Sequence, residues 1–238
     1  MIIQATNPKG QIVRYDPDLH VYHCEDLELT SVTKFLDQFF SPFDSLKIGT
    51  KYAVKHGKKL EEVLAGWKKE GDDSRDKGHL IHKYAEDRFN GTVDSRPGDY
   101  YRSVEDAKAR LETKFRYLSA EQIVFSPRLQ LAGTIDLLMV DPCTGEILIL
   151  DWKIVKKIKD KNPWQIGLFP IQHLDACNFN KYSLQLNIYE RILREEGYFP
   201  ECRNFRKGLI HIKAKDLEWK KVKDMQGEVE NMLKESDN

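Results

Sequence analysis

Two apolar runs close together in the chain, each interrupted by a single aspartate, limit what it can fold into more than any other feature. Residues 131–140 (Leu131-Ala132-Gly133-Thr134-Ile135-Asp136-Leu137-Leu138-Met139-Val140) and residues 146–155 both read as strands. Asp141-Pro142-Cys143-Thr144-Gly145 between them has the Pro and Gly content of a hairpin loop. Side chains alternate faces along a strand, so Ile147, Ile149, Asp151 and Lys153 share one face and Leu148, Leu150, Trp152 and Ile154 the other. Both faces stay apolar until the C-terminal end, the pattern of a central strand buried on both sides.

A buried carboxylate without a partner is costly, so Asp151 needs a cation, a metal or open water beside it. A strand that simply emerges into solvent at residue 151 would meet that need alone. The second run, with Asp136 in its middle, argues for more. Antiparallel pairing across a short loop can bring Asp136 and Asp151 to one place, and a shared divalent cation best accounts for two acids that would otherwise repel. Oxygen ligands favour Mg²⁺ or Mn²⁺ over zinc. Gly133 leaves room for another backbone or a ligand to approach closely.

Around this pair the chain reads as one domain without repeats or a Gly/Ser/Pro-rich linker. A short hairpin is expected over 11–15 and 20–24, then a helix capped by Thr30-Ser31 and running to 39. Helices are expected over 46–56, 60–69, 76–89 and 103–118; Leu60, Val63, Leu64 and Trp67 form an apolar core stripe at i, i+3, i+4 and i+7. Strands follow over 122–126, 129–140 and 146–155, a helix over 183–196, a strand over 208–213 and a polar helix over 216–234. The fold class is therefore α/β, a mixed sheet covered by helices. Its parts are a hairpin and helical elaboration over 1–75, a core over 76–215 and a C-terminal helix over 216–238.

Lys plus Arg and Asp plus Glu number 38 each among the 238 residues, which excludes holding nucleic acid by bulk charge. A local basic track remains: Lys153, Lys156, Lys157, Lys159 and Lys161 follow one another with one acid, Asp160, among them. By itself such a run reads as a solvated loop or edge strand. No stretch reaches the roughly 20 apolar residues of a membrane helix, and the N-terminus lacks the apolar core of a cleaved signal. The scattered Cys24, Cys143, Cys177 and Cys202 form no CxxC pair, so neither zinc nor a disulfide framework is expected. A cytoplasmic or other reducing compartment, without secretion, fits that usage.

Gly133-Thr134-Ile135-Asp136 followed by Asp151-Trp152-Lys153 resembles the PD-(D/E)XK nuclease signature, and in particular its RecB-like exonuclease branch, where G-x-x-D, D-x-K and Q-x-x-x-Y follow in order. Gln185-Leu186-Asn187-Ile188-Tyr189 matches the third part, and Gly78, His82 and Glu86 match an upstream G-x-x-x-H-x-x-x-E. The resemblance covers about residues 78–189; the region 31–67 is more vaguely similar to the N-terminal helical part of phage and viral members, and the mitochondrial genome maintenance exonuclease is a branch relative.

The resemblance implies a restriction-endonuclease-like core with an N-terminal helical region. It implies one or two Mg²⁺ or Mn²⁺ ions held by Asp136 and Asp151, with the Trp152 carbonyl and His82 as further ligands and Glu86 behind His82. His79 stands where the family usually has a small residue. Lys153 would orient or help deprotonate the attacking water, and Gln185 and Tyr189 would hold Lys153 or the scissile phosphate. Glu121, at the head of the first core strand, matches an acid often found there. Lys156, Lys157, Lys159 and Lys161 would hold the DNA backbone, while Trp164 and Phe169 beside them are assigned to core packing, with stacking on unpaired bases as the other role. The implied activity is a DNA exonuclease acting on single-stranded ends or flaps in repair, recombination or replication. A structure- or sequence-specific endonuclease and a catalytically silent DNA-binding module are the rivals. The cysteines are too far apart for the iron-sulfur cluster of some relatives, so none is expected, and protein partners are not readable.

Overall fold

The computed structural model describes residues 2–236. The chain opens with a meander, β1 (Ile3–Thr6), β2 (Ile12–Asp16), β3 (Val21–Cys24) and β4 (Leu27–Ser31), then α1 (Val32–Asp37), α2 (Ser45–His56), α3 (Leu60–Phe89) and α4 (Asp99–Glu112). The central strands are β5 (Arg116–Ser126), β6 (Leu131–Val140) and β7 (Ile147–Lys153), followed by α5 (Asn178–Glu196), β8 (Phe205–Lys213), β9 (Asp216–Lys221) and α6 (Gln226–Ser236). The strands form one mixed nine-stranded sheet in the order β1-β2-β3-β4-β6-β7-β8-β9, with β5 paired to β6. The β4–β6 and β7–β8 pairs are parallel, the rest antiparallel.

Helices cover both faces of the sheet, as the two-sided apolar strands require. On one face Ile149, Leu138 and Leu209 pack with Phe35 and Leu36 of α1, Leu184, Ile188 and Ile192 of α5, and Val229 and Met232 of α6. On the other, Leu137, Met139, Leu148, Leu150 and Trp152 pack with Ile81, Tyr84 and Phe89 of α3 and with Val104, Ala107 and Leu111 of α4. A smaller cluster under the N-terminal meander joins Val13, Tyr22 and Leu29 to Ile123 and Phe125. Glu196, 2% exposed at the end of α5, ties that meander down: it accepts from Ser126 Oγ at 2.5 Å and Asn7 Nδ2 at 3.3 Å and pairs with Lys9 Nζ at 2.9 Å.

Several element boundaries differ from those expected. The segments 60–69 and 76–89 are one 30-residue helix. The Glu-Gly-Asp-Asp-Ser-Arg stretch between them has turn composition but no proline, and i, i+4 and i, i+3 ion pairs (Lys69–Asp73, 2.7 Å; Asp72–Arg75, 3.1 Å) hold it helical. The helix expected over 103–118 is α4, which begins at Asp99 and ends at Glu112, and residues 116–121 already belong to β5. The expected C-terminal helix is strand over its first part. Residues 216–221 pair antiparallel with β8 across Ala214-Lys215, and Lys215 takes the left-handed φ of 67° without being Gly or Asn. β1 and β4 extend the expected hairpin into a meander, Ser31 caps α1 by accepting from Lys34 N at 3.3 Å, and β7 stops at Lys153.

Candidate metal centre

The register of the three central strands sets one acid of each at a common level. β5 pairs Ala120 with Leu137 and Gln122 with Ile135, which stands Glu121 opposite Asp136. The β6–β7 ladder ends at Leu137 and Leu150, one step short of Asp136 and Asp151. Beyond it a side chain takes over, for Asp136 Oδ2 accepts from Trp152 N at 2.8 Å. Glu121 has a φ of 48°, an uncommon conformation for a residue with a Cβ and a local distortion of the strand. It stands within β5, not at its head as expected.

His82 enters this level from α3. Its Nδ1 lies 3.4 Å from Asp136 Oδ2 and 3.9 Å from Glu121 Oε1. One ligand atom from each of His82, Glu121 and Asp136 falls within 4.8 Å of the others. Burial works against a charged imidazole, but Asp136 and Glu121 outweigh it and push His82 up to about 9.

Asp151 is 3% exposed, and Lys153 Nζ lies 3.0 Å from its Oδ1 and 2.7 Å from its Oδ2. Burial raises the Asp151 carboxyl to about 6 against the pull of Lys153, and burial likewise raises Asp136. Desolvation opposes the charge on Lys153, yet Asp151 and Asp136 hold its pKa above the ordinary lysine value. Asp151 Oδ2 has no hydrogen-bond donor in good geometry, so this buried oxygen keeps acceptor capacity to spare. The close group is one histidine nitrogen and two carboxylates, His82, Glu121 and Asp136, a set that suits a hard divalent cation such as Mg²⁺ or Mn²⁺; the expected ligand Asp151 lies outside that group, held by Lys153.

The remaining expected residues are distributed as follows. Trp152 is 2% exposed, and its indole packs against Phe89 at a ring separation of 6.0 Å. Gln185 Nε2 donates to Tyr189 Oη at 3.1 Å, one turn along α5. Tyr189 is buried, which raises its phenol far above the usual range and keeps it neutral beside Asp136 and Asp151. Its ring occupies the space beside Gly133, where a Cβ would stand 2.7 Å from Cε1. Glu86 turns away from His82 to Lys83 Nζ at 3.0 Å, so the pair expected from i, i+4 spacing is replaced by an i, i+3 ion pair. His79 is exposed on α3.

The loop after β7 carries the basic track. Lys156 reaches Glu70 on α3, while Lys157, Lys159 and Lys161 are exposed. The assignment of Trp164 and Phe169 to core packing does not hold: they are 88% and 62% exposed. Two residues that sequence reasoning left out stand at the start of α5. Tyr182 lies under Lys153, its ring centroid 4.4 Å from Nζ. Asn178 grips the loop, its Oδ1 accepting from Lys159 N at 2.7 Å and its Nδ2 donating to Lys157 O at 3.0 Å. Tyr182 could have been found from its place three residues before Gln185 and seven before Tyr189, on one helical stripe.

No family model and no curated protein matches this chain. Among solved structures, a crystal structure from Eubacterium rectale described as a "Putative exonuclease" is 17% identical, with a TM-score of 0.39 over 66% of this chain and 63% of that one. The chain thus spans under two thirds of that neighbour's length, and a likeness of this size assigns neither fold nor activity.

Proposed function

We propose that this chain is a Mg²⁺- or Mn²⁺-dependent deoxyribonuclease built on a PD-(D/E)XK, restriction-endonuclease-like core of the RecB-like branch. In this reading it hydrolyses phosphodiester bonds from single-stranded DNA ends or flaps during repair, recombination or replication. The observation that carries it is the meeting of His82, Glu121 and Asp136, with the Asp151–Lys153 pair on the adjoining strand β7. Acids and basic groups gathered where Asp151 is buried and His82 and Glu121 are still reachable from solvent are the arrangement that phosphoryl chemistry uses.

His82, Glu121, Asp136 and Asp151 would hold one ion or two. Bound there, a divalent cation supplies a lowered pKa for water and neutralises charge on the phosphoryl oxygens and leaving group. Lys153 stays charged where it is buried, so its ammonium orients the attacking water and answers negative charge growing on phosphorus. The neutral Tyr189 phenol, held by Gln185, can donate to a phosphate oxygen or to Asp136 without adding charge. Lys157, Lys159 and Lys161 on the exposed loop offer contacts to the DNA backbone. Trp164 and Phe169, exposed on the same loop, offer stacking faces for unpaired bases, which supports a single strand as substrate.

The test is digestion of 5′- and 3′-labelled linear single-stranded DNA and of a circular single strand, in Mg²⁺, Mn²⁺ or EDTA, with Lys153→Ala alongside. Metal-dependent loss of the linear strands alone, abolished by the substitution, is expected, and the label released first gives the polarity. Cutting of circles would replace the exonuclease by an endonuclease on the same site. Binding without cleavage in either metal would sink the catalytic reading.

A further inference from the structure

Resting on the nuclease reading, we infer that Tyr182 is a positioning residue for Lys153, its ring face seating the ammonium while Asp151 is engaged with the metal. Lys153 Nζ is in contact with the Asp151 carboxylate, at 2.7 and 3.0 Å, and with the Tyr182 ring, 4.4 Å from Nζ to centroid, while Asp136 attracts it from farther off and is itself a candidate metal donor. Asp151 faces two demands, because its oxygens serve Lys153 and are also donors for a divalent cation. Each oxygen committed elsewhere weakens its hold on the lysine. The ring is attracted to the ammonium through its quadrupole and uses no carboxylate oxygen. A lysine has a flexible four-carbon stem, and with the carboxylate shared the ring is what keeps Nζ from exploring other rotamers.

The seat itself is fixed. Tyr182 is half-buried in the first turns of α5, one turn after Asn178. That same asparagine holds the backbone of the basic loop at Lys157 O and Lys159 N. One turn of helix thus carries both the ring beneath Lys153 and the residue that holds the loop offering its charges to the DNA.

The experiment combines kinetics with a readout that needs neither metal nor turnover. In EDTA, the εCH₂ signal of Lys153 in protein carrying ¹³C-labelled lysine is expected upfield of the other lysines through the ring current of Tyr182, assigned by its loss in Lys153→Arg. It persists in Tyr182→Phe and moves to the common lysine position in Tyr182→Leu. On linear DNA with Mg²⁺, Tyr182→Leu is expected to lower kcat by about tenfold, the scale of a desolvated cation–π contact. KM should change less than about twofold if uniform binding is untouched, and Tyr182→Phe should restore kcat. A Lys153 signal that is not shifted in the wild type overturns the inference. So does a Tyr182→Leu enzyme with wild-type kcat when Lys153→Ala is inactive, an outcome that leaves the nuclease reading intact. A wild-type protein that cleaves nothing overturns the nuclease reading and the positioning role with it, while the ring-current shift still reports whether the seat exists.

Discussion

Gly133 and Tyr189 are matched at the atomic level, since a Cβ on the glycine would stand 2.7 Å from Cε1 and 3.0 Å from Oη of the tyrosine. Tyr189 is 3% exposed and packed in the core beneath α5, so the ring has little room to yield. Gly133→Ala is therefore expected to cost about 1–3 kcal/mol by overpacking. In a Tyr189→Leu background most of that cost should vanish, giving a coupling of about 1 kcal/mol or more in a double-mutant cycle. An equal cost in both backgrounds, measured by urea unfolding, would show that the close approach does not matter. At this scale the two aspartates were legible because each interrupts a strand that is otherwise apolar, and a buried acid asks for a partner. Glu121 was harder to place, for its φ of 48° and the irregular register at Tyr117 and Ser119 break the alternation from which a strand is read. The role of Tyr182 depends on how α5 lies against β7, which spacing within the helix alone does not determine.

Among the elements, the central strands were legible and the peripheral ones less so, for a physical reason. β6 and β7 are buried on both faces and must be apolar throughout, whereas β9 is half exposed and its Asp-Leu-Glu-Trp-Lys-Lys run suits a polar helix equally well. Its pairing with β8 decides the matter, and the turn that permits it carries neither Gly nor Asn. α3 posed the opposite problem: composition suggested a break at 70–75, while ion pairs along the exposed face sustain the helix. The continuity of α3 can be tested at Gly71, which is exposed and has nothing within 4 Å of where a Cβ would stand. Inside a continuous helix, Gly71→Ala removes the entropic penalty of glycine and is expected to stabilise the protein by about 0.5–1 kcal/mol. Cleavage should be unchanged. No gain in a denaturant titration would favour two helices with a break between them.

Taken as a whole, the molecule brings its candidate ligands from separate layers. His82 comes from the helical layer of α3, and Glu121, Asp136 and Asp151 come from β5, β6 and β7 within the sheet. The unfolded chain cannot hold these residues together, so a cation bound to them stabilises only the folded state, and its binding energy appears as resistance to unfolding. At a metal concentration about a hundred times the dissociation constant the gain is about 2.7 kcal/mol. For a domain of this size that corresponds to a rise of about 5–10 °C in Tm. Thermal unfolding of the wild type in Mn²⁺ against EDTA should show that rise. Asp136→Asn should abolish it, because the asparagine keeps the shape of the side chain and removes its charge from the centre of the donor set. Lys156→Ala should leave it intact, since Lys156 lies outside that set and pairs with Glu70 on the exposed side of α3. The same Mn²⁺-induced rise in the wild type and in Asp136→Asn would mean that the ion binds elsewhere, and the convergence of the three strands would then lack the cation assigned to it.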